Sequence, residues 1–208
     1  MDIEYKGGNC VVISAKGTVV AIDPKLSHIG LKDITPKEAV VIATQNDLSL
    51  GSDVLVINQP GEYEVREASV KGIPTVRMID HDGSKQGTLY RIKIGGVRFA
   101  VVGHTAVPLS EDQLEALGVV DVVIVPVGGN GYTLDSHQAV GVVKQLDPRV
   151  VIPTHYADKA VSYEVPQMEL EPFIKELSAP QVETVSKWRI KNASLPEVLT
   201  VMHIEKTS

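Results

Sequence analysis

The chain has 208 residues, 43% hydrophobic and 22% charged, which is enough for one sizeable core. Twenty Lys and Arg against 26 Asp and Glu leave a formal charge of −6, which argues against broad attraction to nucleic acid or anionic membranes. A single cysteine, Cys10, excludes an internal disulfide and a thiolate zinc cluster. No apolar stretch approaches the length of a membrane span, so neither a span nor a signal peptide is expected, and the cytoplasm is the expected compartment.

Only 4% of the residues are aromatic, so the core must rest on Val, Ile, Leu and Ala, and the Val-rich runs favour strands. Ile3–Lys6, Cys10–Ser14 and Thr18–Asp23 read as three short strands with Gly-containing turns between them. Asp23-Pro24 ends the third, with Asp23 expected to bond loop amides. Ala39–Thr44 and Val54–Ile57 are further buried strands. Glu64–Val70 and Ile73–Ile79 look like two more, separated by Lys71-Gly72. Thr88–Ile94 and Val97–Val102 form a hairpin around Gly95-Gly96, so the first half is strand-rich and antiparallel in style.

The second half alternates. Ser110–Leu117 reads as a helix with Ser110 as cap and Gly118 as stop. Asp121–Val127 is a buried strand. Asp135–Leu146 is a helix capped by Asp135, with Ala139, Val142, Val143 and Leu146 on one face. Val150, Val151 and Ile152 form a strand expected to stop at Pro153, which has no N–H for the ladder. Gln167–Leu177 reads as a helix bent at Pro172, and Val182–Val185 and Val198–Ile204 as late strands. Without a linker, residues 1–208 make one domain, a two-sheet sandwich with helices outside.

Several strands end in side chains able to hold a metal: Asp47 after the fourth, His81, His104, and His155 after Pro153-Thr154. Imidazole nitrogen and carboxylate oxygen suit zinc, iron or manganese. Strand termini hold such donors rigidly while loops stay open to substrate. His28, His137 and His203 read as surface or loop residues, and Cys10 as a small buried hydrophobe. Gly128-Gly129-Asn130-Gly131 lacks the Lys and Ser/Thr of a phosphate-binding P-loop and reads as a loop that must pass close beside the metal rim.

Ile22-Asp23-Pro24, Pro60-Gly61-Glu62-Tyr63-Glu64, His81-Asp82, Pro126-Val127-Gly128-Gly129, Tyr132-Thr133-Leu134-Asp135 and Ile152-Pro153-Thr154-His155-Tyr156 together carry a resemblance over almost the whole chain. The sequence resembles the metallo-β-lactamase fold hydrolases, in particular the small bacterial zinc-dependent branch similar to ascorbate lactonases. The resemblance implies an α/β (α+β) four-layer αββα sandwich, two mixed sheets flanked by helices, with a metal site at one rim. It also marks departures. Where that family has Thr-His-x-His-x-Asp-His, this chain has Thr44-Gln45-Asn46-Asp47-Leu48-Ser49-Leu50, and its later metal-bridging Asp is replaced by His104.

A two-metal site needs about eight donors and a bridging anion. Leu50 cannot donate and His104 cannot bridge as a carboxylate does, so no binuclear zinc centre is expected. One Zn, Fe or Mn ion on His81, His104 and His155 is the expected remnant, with Asp47 either a fourth ligand that closes the site or a residue standing off the ion. Where Asp47 stands off, it is the candidate base for a metal-bound water, and Tyr156 or Thr105 a candidate donor to an oxyanion. Two readings follow: a single-metal hydrolase of a small ester, lactone or phosphodiester, or a non-catalytic binding or scaffolding module that has lost the metal centre. Either would take a small-molecule partner, with no nucleic acid and no membrane.

Overall fold

A computed structural model describes residues 1–34, 37–45, 54–78 and 86–207. The chain runs β1 (Asp2–Gly7), β2 (Cys10–Ala15), β3 (Thr18–Ile22), a 3-10 turn (Ser27–Ile29), β4 (Val40–Ile42), β5 (Leu55–Ile57), β6 (Gly61–Val65), β7 (Ala68–Thr75), β8 (Gly87–Ile94) and β9 (Val97–Val101). Then come α1 (Glu111–Leu117), β10 (Val122–Pro126), α2 (Ser136–Leu146), β11 (Val150–Thr154), α3 (Glu171–Leu177), β12 (Gln181–Val185), β13 (Trp188–Arg189) and β14 (Thr200–Ile204). Among the described residues these make a six-stranded sheet, β13-β1-β2-β3-β4-β5, and an eight-stranded sheet, β12-β14-β11-β10-β9-β8-β7-β6.

Strand alternation separates two apolar layers. Val11, Ile13, Val20, Ile22, Val40 and Ile42 enter the main core with the eight-stranded sheet. Their neighbours Cys10, Val12, Ala21 and Val41 face the other way, beneath Leu26 and Ile29 of the 3-10 region. Both sheets are mixed, and α2 packs on β10 and on α3. Both expected caps form, as capping boxes: Ser110 and Asp135 each accept from the backbone N–H three residues on, and the Oε1 of Gln113 and Gln138 accepts from the cap residue's own N–H.

The structure differs from the sequence expectation in several places. β3–β4 and β4–β5 are parallel pairs, because the segments joining them are long enough to cross over rather than turn back. The expected turn at Lys71-Gly72 is a strand instead, and the chain turns at Arg66-Glu67, with Arg66 left-handed at φ 54°. Gly72 is there for closeness: a Cβ on it would lie 2.6 Å from the Gln59 carbonyl oxygen. Pro153 does not end its strand, since Pro153 and Thr154 still pair with Val125 and Pro126. The third helix starts at Glu171 with Pro172 in its first turn, where a missing N–H costs nothing, so no bend arises. Trp188, on the edge strand β13, pairs with Ile3 of β1.

Two polar contacts tie the sheets' ends. The Tyr90 hydroxyl, fully buried, lies 2.9 Å from the Ala43 carbonyl and 3.1 Å from that of Ile57, joining the eight-stranded sheet to β4 and β5 of the other. Asp121 accepts from the backbone N–H of Arg98 at 2.8 Å and from its guanidinium at 2.9 and 2.7 Å, fixing the entry to β10. The Arg98 guanidinium holds the Asp121 carboxyl below the usual carboxylate range, so the pair stabilises the fold above the unfolded value and is lost as pH falls through the folded one. Asp121→Ala is expected to cost about 2 kcal/mol at neutral pH, read as a urea midpoint, with a smaller deficit in acid.

Candidate functional site

Four strand ends, two from each sheet, meet at one rim. β9 delivers Gly103-His104, and the tight approach of Thr44 demands the glycine: its φ is 58°, and a Cβ would lie 2.7 Å from Thr44 Cβ. β11 delivers His155, whose backbone is left-handed (φ 52°) and whose N–H donates to the Gly8 carbonyl at 2.8 Å. The β1–β2 turn brings Asn9, and β3 ends in Asp23. As expected, Asp23 bonds a loop: its Oδ1 accepts from Thr44 N at 2.8 Å and its Oδ2 from Thr44 Oγ1 at 2.7 Å.

The rings form a tight group. The His104 and His155 centroids are 5.1 Å apart and nearly perpendicular. Tyr132 meets His104 edge-on at 5.1 Å and stacks against His155 at 5.6 Å, while Tyr163 lies 4.5 Å from His155. His104 is engaged at both nitrogens. Its Nδ1 sits 3.1 Å from the Tyr132 carbonyl, so it carries the proton and donates, and its Nε2 accepts from Asn9 Nδ2 at 2.9 Å. The Asn9 amide is held in that orientation because its Oδ1 accepts from Thr154 Oγ1 at 3.1 Å. His155 Nδ1 donates to Gln167 Oε1 at 3.2 Å. Burial first, and the neighbouring His104 second, push the His155 imidazole down to about 3, so it is neutral at ordinary pH.

A cleft of about 410 Å³ opens on this group, lined by Asn9, Gln45, His104, Tyr132 and His155. Its charged lining is Lys25, Arg77, Asp23 and Glu164, with His28 beside them. The volume suits a small metabolite.

Of the residues singled out from sequence, His104 and His155 are brought together. Asp47 and His81 lie outside the described residues. Tyr156 is buried in the core, between Tyr5 (5.7 Å) and His203 (5.8 Å), and is not among the cleft residues. The Thr105 hydroxyl donates to the Val102 carbonyl at 2.6 Å. Sequence reasoning missed Asn9, Arg77, Lys25 and Tyr132, and it placed His28 on the surface with no role at the cleft. Asn9 sits in a Gly-Gly-Asn run that reads as a hairpin turn, and nothing local ties it to a histidine 95 positions away.

The described residues do not fit a metal centre. No three His, Cys, Asp or Glu among them gather as a donor group. One of the two imidazoles has both nitrogens engaged by Asn9 and Tyr132. The guanidinium of Arg77, in the same cleft, opposes a cation.

Two mixed sheets flanked by helices, with a cleft between strand ends at one rim, define the metallo-β-lactamase fold. Residues 2–155 match the beta-lactamase superfamily domain, and the chain belongs to that family. It is similar to UPF0173 proteins of Pyrococcus abyssi (28% identical over 186 residues, 75% of this chain and 83% of the relative) and Pyrococcus furiosus (26% over 217 residues, 90% and 95%). Among solved structures it shares its fold with a Thermotoga maritima protein of the metallo-beta-lactamase superfamily (TM-score 0.73, 21% identity, 98% of this chain and 99% of that one). Igni18, a metallo hydrolase from the archaeon Ignicoccus hospitalis, is also similar (TM-score 0.65, 17% identity, 99% and 94%). The superfamily's leading metal-binding motif is degraded here, with Gln45, Ser49 and Leu50 at three donor positions.

Proposed function

We propose that this chain is a non-catalytic binding module on the metallo-β-lactamase fold, whose cleft takes a small molecule directly on protein side chains. One observation carries the reading: Asn9 donates to His104 Nε2, the ring nitrogen left once Nδ1 has donated to the Tyr132 carbonyl. A metal would have to displace that bond, and with it the Thr154–Asn9 contact behind it. Loss of donors at Gln45, Ser49 and Leu50 supports the same conclusion.

Elemental analysis of the purified protein tests it, together with thermal melts in added zinc and in chelator. The expected result is substoichiometric metal and a melting temperature that neither addition moves, because only a species that binds the native state shifts it. Stoichiometric metal that disappears in both His104→Ala and His155→Ala would overturn it.

A second reading rests on the 5.1 Å approach of the two imidazoles. It is a hydrolase of small esters, lactones or phosphodiesters with one zinc, iron or manganese ion on His104 and His155, joined by His81 and Asp47. Under it, Asn9→Ala frees a ligand and tightens zinc binding. Under the binding-module reading, the same variant gains no stoichiometric metal.

A further inference from the structure

We infer that the cleft's ligand is a small anion, a carboxylate or a phosphate, held by the Arg77 guanidinium. This rests on the binding-module reading and adds the chemical class of the ligand. Arg77 is half-buried, lines the cleft, and its Nε is a buried donor with no hydrogen-bond partner among the described residues. A guanidinium N–H withdrawn from water and left without an acceptor is costly, and its charge makes the natural acceptor an anion.

The residue is not loosely placed. Arg77 forms a backbone bridge with Thr105, Met78 N donates to the His104 carbonyl at 3.0 Å, and Ala106 N donates to the Val76 carbonyl at 2.7 Å. Its stem passes over Gly87, where a Cβ would lie 3.3 Å from Arg77 Cγ. Among the described carboxylates nearby, two already have donors. Asp23 accepts from the Thr44 amide and hydroxyl. Asp33, which lies within the field of Lys25, accepts from the Leu26 and Ser27 amides. Glu164 is exposed. Lys25 is a second, half-buried cation in the cleft lining, and Tyr132 lines the same cleft beside His155.

The test is calorimetric titration of the whole chain with inorganic phosphate and, separately, with malonate, in chelator throughout. Wild type, Arg77→Met, Arg77→Lys and, outside the cleft, Lys93→Met are compared. At least one anion is expected to bind. Arg77→Met is expected to weaken it roughly tenfold or more, while Lys93→Met leaves it unchanged. Arg77→Lys keeps stem and charge but loses the fork, so it falls between; it also serves if Arg77→Met does not fold. Binding of neither anion, or binding that is indifferent to both Arg77 variants, would overturn the inference and leave the metal-free reading intact. Anion binding that appears only when zinc replaces the chelator would overturn both, because the metal would then be the anion's partner.

Discussion

Gly128→Ala is expected to cost about 3 kcal/mol, a fall in melting temperature of roughly 6–12 °C for a chain of this size. An added Cβ at this position would lie 2.1 Å from the His155 carbonyl oxygen and 2.3 Å from Gln167 Oε1. Neither side can withdraw cheaply. Val127 N donates to the Thr154 carbonyl at 3.0 Å on one flank, and Met168 N donates to the Gly128 carbonyl at 2.7 Å on the other. The demand is for space rather than an unusual backbone angle, which separates Gly128 from its neighbour Gly131. Gly131 has a φ of 73° and open space around it, so Gly131→Ala should lose only about 1 kcal/mol. Urea melts of the two variants make the comparison. Equal stability of Gly128→Ala and wild type would mean that the glycine loop does not press on the His155 strand end as described.

The second large effect is acid sensitivity in the metal-free protein. In the fold the His155 imidazole is pushed down to about 3 by burial and by His104, whereas in the unfolded chain it titrates near the ordinary value of about 6.5. Below about 6.5 the unfolded state binds a proton that the folded state refuses, so stability falls with pH across that window and levels off only near 3. The loss at the bottom of the window is on the order of 5 kcal/mol from this one ring, and about 3 kcal/mol of it is already gone by pH 4. His155→Asn removes the titration and retains a residue that tolerates the left-handed backbone at φ 52°. Urea midpoints taken from pH 7 down to pH 4, in chelator, should slope steeply for wild type and less for the variant. Parallel slopes would show that His155 is protonated as readily in the fold as out of it.

The architecture was legible because its signals are local. Short β-branched runs such as Val122–Pro126 and Val150–Thr154 can hide only in a two-sided sheet, and the Ser110 and Asp135 caps carry their partners three residues on. The errors fell where a residue's usual local meaning was overruled by something distant. Gly72 looks like a turn, yet it is small because the Gln59 backbone crosses it. Pro153 looks like a stop, yet its carbonyl side keeps the register with Val125.

The site divides the same way. The convergence of His104 and His155 follows from strand order, because β9, β10 and β11 lie side by side and their ends share one rim. Asn9, Arg77 and Tyr132 carry no such signature. Asn9 comes from the opposite sheet, Arg77 is one exposed-looking cation among many, and Tyr132 matters through its backbone carbonyl, which no sequence pattern marks. Tyr156, adjacent to His155 in the chain, alternates away from it into the core with Tyr5.

The bond from the His155 amide to the Gly8 carbonyl crosses from one β-layer to the other. Deuterium uptake at that single amide therefore reports how often the layers part at the rim, independently of fraying elsewhere. Slower uptake with an occupant in place would show the two halves breathing as one unit across the gap between them.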